Sequence, residues 1–537
     1  MNRRKFLQNT TAGAFMPSFF GRNNDVTATD SPWLRMLTGA AAETNHALVI
    51  IRLSGGNDGL NMVIPLDQYA NLASARANVL INENQVLKLS GTTATGLHPS
   101  FTGMQALFNE GKLKIIQSAG YPTPNFSHFR ATDIWMSASN STENISTGWI
   151  GRYMMNEYPG YPDAYPSTTM PDPLAIQVGD MTLTYMGLTG PMAVSYPDLT
   201  NLYSFNDVGD NPLTGRVGKE VTYIKTVAKQ SDKYGLAISA AYSKGSNSGV
   251  VYPTFTTAVN GGGAGGFNNL SNQLKSIARL IKGGIKTRVF MVTLGGFDTH
   301  SNQVDSNDHA KGSHAEMFNA LDKTITAFQR DCEALKIDKR VLGMTFSEFG
   351  RRIKSNASFG TDHGAALPMF VFGSSLYGGI LGTSPTINAT VDVNANIPMQ
   401  YDFRSVYASI MSDWFCVGAT DLEKVMLRNF QKLPIVNSPS CITSTKEIEA
   451  AQALKLISNY PNPFDFSTNI EFETKGGHTM IQIFDVEGQV IAVPVEGDYV
   501  AGKYKINFNG GYLPSGVYYA RLQNGSISQV RTMLKVR

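Results

Sequence analysis

Acidic and histidine side chains lie next to three short apolar runs in the middle of this sequence. Asp298 and His300 come shortly after the run VFMVTL, Glu348 follows VLGMTF, and Asp362 and His363 precede PMFVFG. Carboxylates and imidazoles bind divalent cations and transfer protons. Because the carboxyl ends of parallel strands meet at one edge of an open sheet, we expect these side chains to converge on one crevice.

The elements that must position these residues can be predicted from the same stretch, residues 288–373. Each of the three apolar runs predicts a buried strand. Between the first two runs, residues 314–336 carry apolar side chains at helical spacing. The order strand, helix, strand indicates a parallel sheet, and therefore an α/β domain.

Two earlier segments add residues with the same kinds of chemistry. Asp58 lies in the Gly-rich turn SGGND after the predicted strand LVIIRL, where it is either a metal ligand or a turn acid that bonds its own backbone. Ser127, His128 and Arg130 lie in the first turn of a predicted helix. The free N–H groups of a helix start suit an anion or a nucleophilic hydroxyl, although Ser127 also fits a simple N-cap.

Size, charge and cysteine content restrict the class of protein. A chain of 537 residues predicts two or three domains, and a net charge of +3 without a basic run excludes a nucleic-acid partner. The three cysteines match no zinc motif. A metal site would therefore use oxygen and nitrogen ligands, which suits zinc, manganese, magnesium or calcium. No apolar run approaches the ~20 residues of a transmembrane helix, so we expect no transmembrane segment.

The chain divides by composition into four parts. Residues 1–42 begin MNRRKFL and resemble a twin-arginine export leader, which implies the twin-arginine machinery as a partner; a disordered basic start is the alternative. Residues 43–434 form the α/β domain and residues 435–455 a polar linker. Residues 456–537 alternate in polarity, with turn signals every ~10 positions, and predict a small antiparallel β-sandwich.

The last part resembles a known export domain. The segments NYPNPF, IFDVEGQV and LPSGVYYARL are similar to those of the type A C-terminal sorting domain of the type IX secretion system of Bacteroidota. The resemblance implies passage through the periplasm and across the outer membrane by the type IX machinery. Attachment to the cell surface or release to the medium would follow.

The α/β part resembles the DUF1501 family through LSGGNDGLN, NFSHFRATDIW, GGFDTH, FSEFGRR and TDHGAALPMFVFG. The order of these segments is also similar to that of the alkaline phosphatase and sulfatase superfamily. That resemblance implies a mostly parallel sheet flanked by helices, with one or two metals at the strand ends. It further implies roles for matching residues: Asp58 as the first metal-binding acid, Ser127 as nucleophile, Asp298 with His300 as a later ligand pair, Glu348 in place of the usual Asp, and His363 as the last histidine.

These observations lead to two hypotheses of different class. The first is an exported, metal-dependent hydrolase of phosphate or sulfate esters that acts on a small anionic ester or a glycan, with His128 and Arg130 holding the anion. The second is a non-catalytic surface or glycan-binding protein on the same fold. Phe349, which stands where the superfamily commonly has histidine, favours the second. A third interpretation treats these acids and histidines as ordinary loop residues.

Overall fold

The computed structural model describes residues 45–158, 160–167, 170–199, 215–255, 264–437, 455–474, 476–485, 489–524 and 527–536. The predicted leader, residues 1–42, and most of the predicted linker lie outside the described residues. The chain divides into two compact units, and residues Asn45–Ser438 form the larger one. The residues from Pro439 onward fall in the other unit.

The larger unit is built around a nine-stranded sheet. Its central strand, Ala47–Leu53, is apolar apart from one arginine. It is covered on both faces, as expected for a strand inside an α/β domain. The strands of this sheet are β1 (Ala47–Leu53), β5 (Leu113–Gly120), β6 (Ala175–Val178), β7 (Val194–Tyr196), β8 (Val289–Leu294), β9 (Val341–Phe346), β12 (Leu367–Gly373), β13 (Gly379–Leu381) and β14 (Tyr401–Asp402). The strand order is β13-β5-β12-β9-β1-β8-β6-β7, with β14 paired to β5.

Two small sheets flank this central one. They comprise β2 (Val63–Pro65), β3 (Leu87–Lys88) and β4 (Thr95–Leu97) in the first, and β10 (Arg351–Ser355) with β11 (Thr361–His363) in the second. Helices follow most strands, and most of them pack apolar faces on the sheet in one large hydrophobic cluster. A second, smaller cluster includes Leu60, Leu72 and Ile353. The helices are α1 (Gly59–Met62), α2 (Tyr69–Arg76), α3 (Thr102–Asn109), α4 (His128–Ser137), α5 (Trp149–Glu157), α6 (Gly215–Lys244), α7 (Ala264–Lys282), α8 (Ser313–Ala334), α9 (Phe403–Asp413) and α10 (Ala419–Met426).

The three apolar runs predicted to be strands are β8, β9 and β12, and the helix predicted between the first two is α8. Both β8 and β9 run parallel to β1, which lies between them. β12 is antiparallel to β9. Because of this reversal, the start of β12 lies at the same edge as the ends of β1, β8 and β9. The residues that precede β12 therefore reach the edge where ligands bind in open α/β sheets.

The C-terminal unit is all-β, as the alternating sequence predicts. Residues from both of its antiparallel sheets share one hydrophobic cluster, including Ile470 and Phe472 on one sheet and Ile481 and Leu522 on the other. Its strands are β15 (Lys455–Tyr460), β16 (Ser467–Thr474), β17 (Gly477–Phe484), β18 (Val490–Tyr499), β19 (Gly502–Asn509), β20 (Gly516–Asn524) and β21 (Ile527–Lys535). The fold class, a mostly parallel α/β sheet with an all-β C-terminal region, is confirmed. Among the helices that the structure describes, none is long and apolar enough to span a membrane.

Candidate metal centre

Four side chains from three separate segments meet at this edge of the central sheet. Asp298 and His300 lie in the loop after β8, His363 ends β11, and His128 begins α4. We call these four residues the His/Asp cluster. The Asp298 side chain is about half exposed (49%) and that of His128 one-third exposed (33%), so the cluster is open to solvent on one side.

The Nε2 atoms of the three histidines point at one carboxylate. His300 Nε2 lies 3.2 Å and His363 Nε2 3.3 Å from Asp298 Oδ1, and His128 Nε2 lies 3.5 Å from Asp298 Oδ2. Tetrahedral ligands at the bond lengths of zinc stand roughly 3.3 Å from one another. One ligand atom each from His128, Asp298 and His363 lies within 4.8 Å of the other two, which fits ligands of one small cation. His300 adds an Nε2 atom on the other side of Asp298 Oδ1, 3.2 Å from it.

Each histidine is oriented through its other ring nitrogen. His128 Nδ1 lies 2.9 Å from Glu348 Oε1, His300 Nδ1 3.0 Å from Asp362 Oδ1, and His363 Nδ1 2.8 Å from the Phe126 carbonyl oxygen. These oxygens accept hydrogen bonds, so each ring donates from Nδ1, and a ring that carries only this one proton keeps its lone pair on Nε2. Carboxylate or carbonyl partners at Nδ1 are the usual support of metal-binding histidines.

The closest pair of nitrogens shows why a cation fits. His300 Nε2 and His363 Nε2 are 2.9 Å apart, yet both atoms bear lone pairs when their Nδ1 protons are donated elsewhere. Burial lowers the pKa of His363, and this effect outweighs its hydrogen bond to Phe126. Two facing lone pairs repel unless a positive charge lies between them. A proton on one of the two rings or a divalent cation bound by both nitrogens removes that repulsion.

Asp298 is held in its ionised form by a buried arginine. Burial raises the pKa of Asp298, but the hydrogen bond and charge of Arg351 reverse that effect and leave the pKa below its usual value. Arg351 Nη2 lies 2.8 Å from Asp298 Oδ1. The same fully buried guanidinium donates to the carbonyls of Gly56, Phe297 and Thr361. Arg351 thus fixes the loop of Asp298 against the turn after β1.

That turn depends on two consecutive glycines with positive φ. Gly55 (φ 127°) donates its N–H to Glu348 Oε1 over 2.9 Å, and a Cβ on it would lie 2.3 Å from the Asp298 nitrogen. A Cβ on Gly56 (φ 80°) would lie 2.2 Å from the Phe349 ring. The Phe349 ring packs 4.9 Å from the His128 ring and 4.4 Å from the His363 ring, centroid to centroid. Phe349 therefore supports two of the histidines.

A buried glutamine joins the two loops that carry the other ligands. Gln303 Oε1 accepts hydrogen bonds from Thr299 Oγ1 (2.9 Å) and Thr361 Oγ1 (2.8 Å). Thr299 lies between Asp298 and His300, and Thr361 lies two residues before His363. The side chain of Gln303 is fully buried. This contact fixes the distance between the β8 loop and β11.

The predicted metal ligands separate into three groups. Asp298, His300 and His363 are in the His/Asp cluster. Glu348 (1% exposed) and Asp362 touch histidine Nδ1 atoms and act as supports. Asp58 is not brought to the cluster: it is fully buried and ion-paired with Arg76, and its Oδ2 also accepts from Gln303 Nε2 over 2.6 Å. Asp58 also caps α1 through Leu60 N, so the turn-acid interpretation describes it better.

The three residues of the predicted anion site have different environments. His128 is in the His/Asp cluster. Ser127 is the N-cap residue of α4, but its side chain makes no capping hydrogen bond and is exposed. Arg130 Nη2 donates to the main-chain carbonyls of Asn140 (3.0 Å), Ser141 (3.2 Å) and Glu143. These contacts hold the loop after α4 through one nitrogen of Arg130, and the predicted anion-binding role of Arg130 stays a prediction.

Sequence reasoning missed Arg351 and Gln303. Arg351 is part of FSEFGRR, but nothing in that motif distinguishes a buried arginine from an exposed one. Gln303 lies in the polar stretch SNQVDSND, which carries no signal for a fully buried amide. Both side chains bridge segments that are distant in the sequence, so only the folded chain reveals their partners.

Two family models match parts of the chain. Residues 276–423 match DUF1501, described as a protein of unknown function, and residues 458–536 match the secretion system C-terminal sorting domain. The sorting domain shows that this protein is exported to the cell surface or the medium, and it implies the type IX secretion machinery as a partner. No curated protein sequence matches the chain.

Several solved structures are similar to this one at low identity. A Bacteroides thetaiotaomicron protein from a locus for metabolism of multiple glycosaminoglycans has 10% identity and a TM-score of 0.32, covering 84% of this chain and 90% of its own. A Vibrio parahaemolyticus protein of the alkaline phosphatase superfamily has 9% identity and a TM-score of 0.30, and the match covers 81% of this chain and 76% of that protein. The alkaline phosphatase of the Antarctic bacterium TAB5 has 12% identity and a TM-score of 0.22, and the match covers 62% of this chain and 92% of that protein. Similarities of this size leave the activity to be argued from the site itself.

Proposed function

We propose that this protein is an exported, metal-dependent hydrolase of phosphate or sulfate esters whose cation is held by the His/Asp cluster. The observation that carries the proposal is the convergence of three Nε2 atoms on the Asp298 carboxylate. In the net reaction, water cleaves the ester bond and releases an alcohol and inorganic phosphate or sulfate. We also propose that residues 1–42, which lie outside the described residues, direct export through the twin-arginine machinery.

The composition of the cluster favours zinc among the metals considered. Three imidazoles and one carboxylate suit zinc, whereas magnesium and calcium take oxygen ligands almost exclusively. Manganese is the alternative, because imidazole and carboxylate together also suit it. A bound cation would polarise the ester and help ionise a nearby hydroxyl or water.

The protein's own residues would orient the site and provide the nucleophile. Glu348 and Asp362 fix the rings of His128 and His300 through their Nδ1 protons. Ser127 is exposed and lies between Phe126, whose carbonyl bonds His363, and His128. Its hydroxyl is not used for capping, so it is our proposed nucleophile. The start of α4 adds a partial positive charge beside this hydroxyl.

A second function, a non-catalytic glycan-binding protein, is favoured by two observations. Phe129 lies next to His128 and its side chain is 87% exposed. In addition, Arg130 and Arg351 are both engaged with main-chain carbonyls. An exposed aromatic ring offers an apolar face to a sugar ring. Under this proposal, Phe129→Ala would weaken glycan binding and no ester would be turned over.

Metal analysis and turnover of one set of variants test the proposed hydrolase. We expect purified protein to contain about one zinc or manganese per chain and to hydrolyse an aryl phosphate or an aryl sulfate. Asp298→Asn should weaken metal binding by about 10–100-fold, by analogy with loss of an orienting or ligating group, and abolish turnover. The matched control is Asp67→Asn, which alters an exposed carboxylate outside the cluster. A folded protein that is metal-free and inert towards both esters would refute the proposal.

A further inference from the structure

A cavity of about 270 Å³ lies between segments that lead into the His/Asp cluster. It is lined by residues 120–124, 365–366 and 396–399, which come from the loop between β5 and α4, the turn before β12 and the loop before β14. Small side chains leave this space open, since Gly120, Ala365 and Ala366 contribute at most one methyl group each. The role proposed above uses none of these residues.

Two of the lining segments continue directly into the cluster. Pro124 lies four residues before His128, and Ala365 lies two residues after His363. These segments are joined where His363 Nδ1 contacts the Phe126 carbonyl oxygen at 2.8 Å. Two segments that line the cavity therefore run on into the His/Asp cluster and are joined next to it.

Phe349 and Gly350 connect one lining segment of the cavity to the His/Asp cluster. The carbonyl oxygen of Ala365 accepts a hydrogen bond from Gly350 N over 2.8 Å. Phe349, the preceding residue, packs its ring on His128 and His363. A change in the position of the cavity wall would therefore also move the support of these two histidines.

The lining has no charge and is mainly apolar. None of the lining residues is Asp, Glu, Lys, Arg or His, and they include Tyr121, Ile397, Met399 and three prolines. Such a surface offers no counter-ion to a phosphate or sulfate group. It suits an uncharged ring, because ligand pockets are lined mainly by apolar and aromatic side chains. A buried cavity of roughly 150 Å³ already accepts benzene.

We propose that this cavity binds the uncharged, ring-bearing alcohol part of the ester, the group that leaves when the ester bond is cleaved. This inference rests on the proposed hydrolase and specifies its substrate class. The preferred substrates are monoesters of a phenol or of a similar single- or double-ring alcohol. Esters of methanol lack a group that fills the cavity, and polyanionic chains would bring charge into an uncharged pocket.

The probe for the cavity is 2-naphthol, whose fluorescence reports binding without any turnover. We expect saturable binding to the full chain, both after treatment with a chelator and after loading with zinc. Met399→Trp, which places a large ring at the cavity mouth (Met399 is 41% exposed), should weaken naphthol binding at least tenfold. Ala365→Phe is the second filling variant. Val393→Trp is the matched control, since Val393 is 53% exposed and lies on the same loop outside the lining.

The same variants are then compared on two substrates. The ratio of kcat/KM for naphthyl phosphate or sulfate to that for the methyl ester should exceed 10 in the wild type and fall at least tenfold in Met399→Trp and Ala365→Phe. If naphthol does not bind, or if it binds equally well to the wild type and to both filling variants, the cavity assignment is wrong. This holds whether or not the protein is a hydrolase. If every ester is inert while naphthol binds and the filling variants block it, the cavity binds rings and the hydrolase proposal fails instead.

Discussion

The side-chain amide of Gln303 donates a hydrogen bond to Asp58 Oδ2 over 2.6 Å, and both side chains are fully buried. This contact fixes which end of the Gln303 amide faces the loops that carry the His/Asp cluster. Its Oε1 is consequently presented to the hydroxyls of Thr299 and Thr361. Asp58 therefore influences the His/Asp cluster through Gln303, although it does not contact the cluster itself.

Replacing Gln303 with leucine should loosen the two ligand-bearing loops. The hydroxyls of Thr299 and Thr361 would lose their shared acceptor, and the distance between the β8 loop and β11 would no longer be fixed. We expect zinc affinity to fall by about 10–100-fold, the usual effect of losing an outer-shell contact. Competition titration against a chromophoric chelator measures it. Gln85→Leu, on the exposed surface, should leave the affinity unchanged.

Asp58→Asn distinguishes a structural carboxylate from a metal ligand. Arg76 is fully buried and ion-paired with Asp58, and removing one member of a buried pair costs about 3–5 kcal/mol. We expect the free energy of unfolding, measured by urea denaturation, to fall by that amount. The protein that remains folded should still bind one metal per chain. Loss of the metal without loss of stability would return Asp58 to the ligand set.

The sequence predicted the strands well and the side chains that gather at their ends less completely. Short runs made almost entirely of apolar residues are a strong signal for β1, β8, β9 and β12 because these strands are largely buried on both faces. The reversed direction of β12 is set by pairing with β9 and β5, which no local pattern encodes. The sequence also led us to expect that acids and histidines next to these strands meet at one edge of the sheet. Asp298 and His300, after β8, and His363, before β12, lie together at that edge.

The residues whose surroundings differ from the expectation share one physical cause, namely a partner elsewhere in the sequence. Arg76 lies 18 residues from Asp58, at the end of α2, so the ion pair that keeps Asp58 away from the His/Asp cluster cannot be inferred from the SGGND turn. Arg130 Nη2 bonds a loop 10 to 13 residues away. His128 was predicted to hold an anion. Its Nδ1 contact with Glu348, 220 residues away, orients the ring in the way that is usual for a metal-binding histidine.

Stability should fall in acid because of a buried neutral histidine. Burial lowers the pKa of His98 from 6.5 to about 3. Between pH 6.5 and 3 the unfolded chain therefore binds a proton that the folded chain does not, so stability decreases as the pH falls through this window. The loss approaches roughly 4–5 kcal/mol at pH 3. His98→Asn should reduce the difference between the unfolding free energies at pH 7 and pH 4, measured by urea denaturation.

Asparagine is a suitable replacement at this position. His98 Nδ1 accepts a hydrogen bond from Ser100 N over 3.1 Å, and the side-chain oxygen of asparagine can accept the same bond. His478→Asn is the control, because this histidine is exposed (62%) and should leave the pH dependence unchanged. An acid slope that is identical in His98→Asn and the wild type would contradict the assignment.

Removing the sorting domain should change where the protein goes and leave the metal site intact. A chain that ends at residue 437 lacks the segment that matches the secretion sorting domain, so we expect it to accumulate in the periplasm. All four cluster residues lie in the unit Asn45–Ser438, and the metal content should therefore be unchanged. Cell fractionation with immunoblotting and metal analysis measures both. Release of the truncated chain into the medium at the full-length level would count against this prediction.

Anomalous diffraction from crystals of the zinc-loaded protein, measured on both sides of the zinc edge, tests the metal centre most directly. We predict one strong peak at bonding distance from the Nε2 atoms of His128, His300 and His363 and from the Asp298 carboxylate. In crystals of Asp298→Asn grown under the same conditions this peak should weaken or disappear. An ordered His/Asp cluster without any peak in the zinc-loaded crystals would contradict the metal centre and the hydrolase that depends on it.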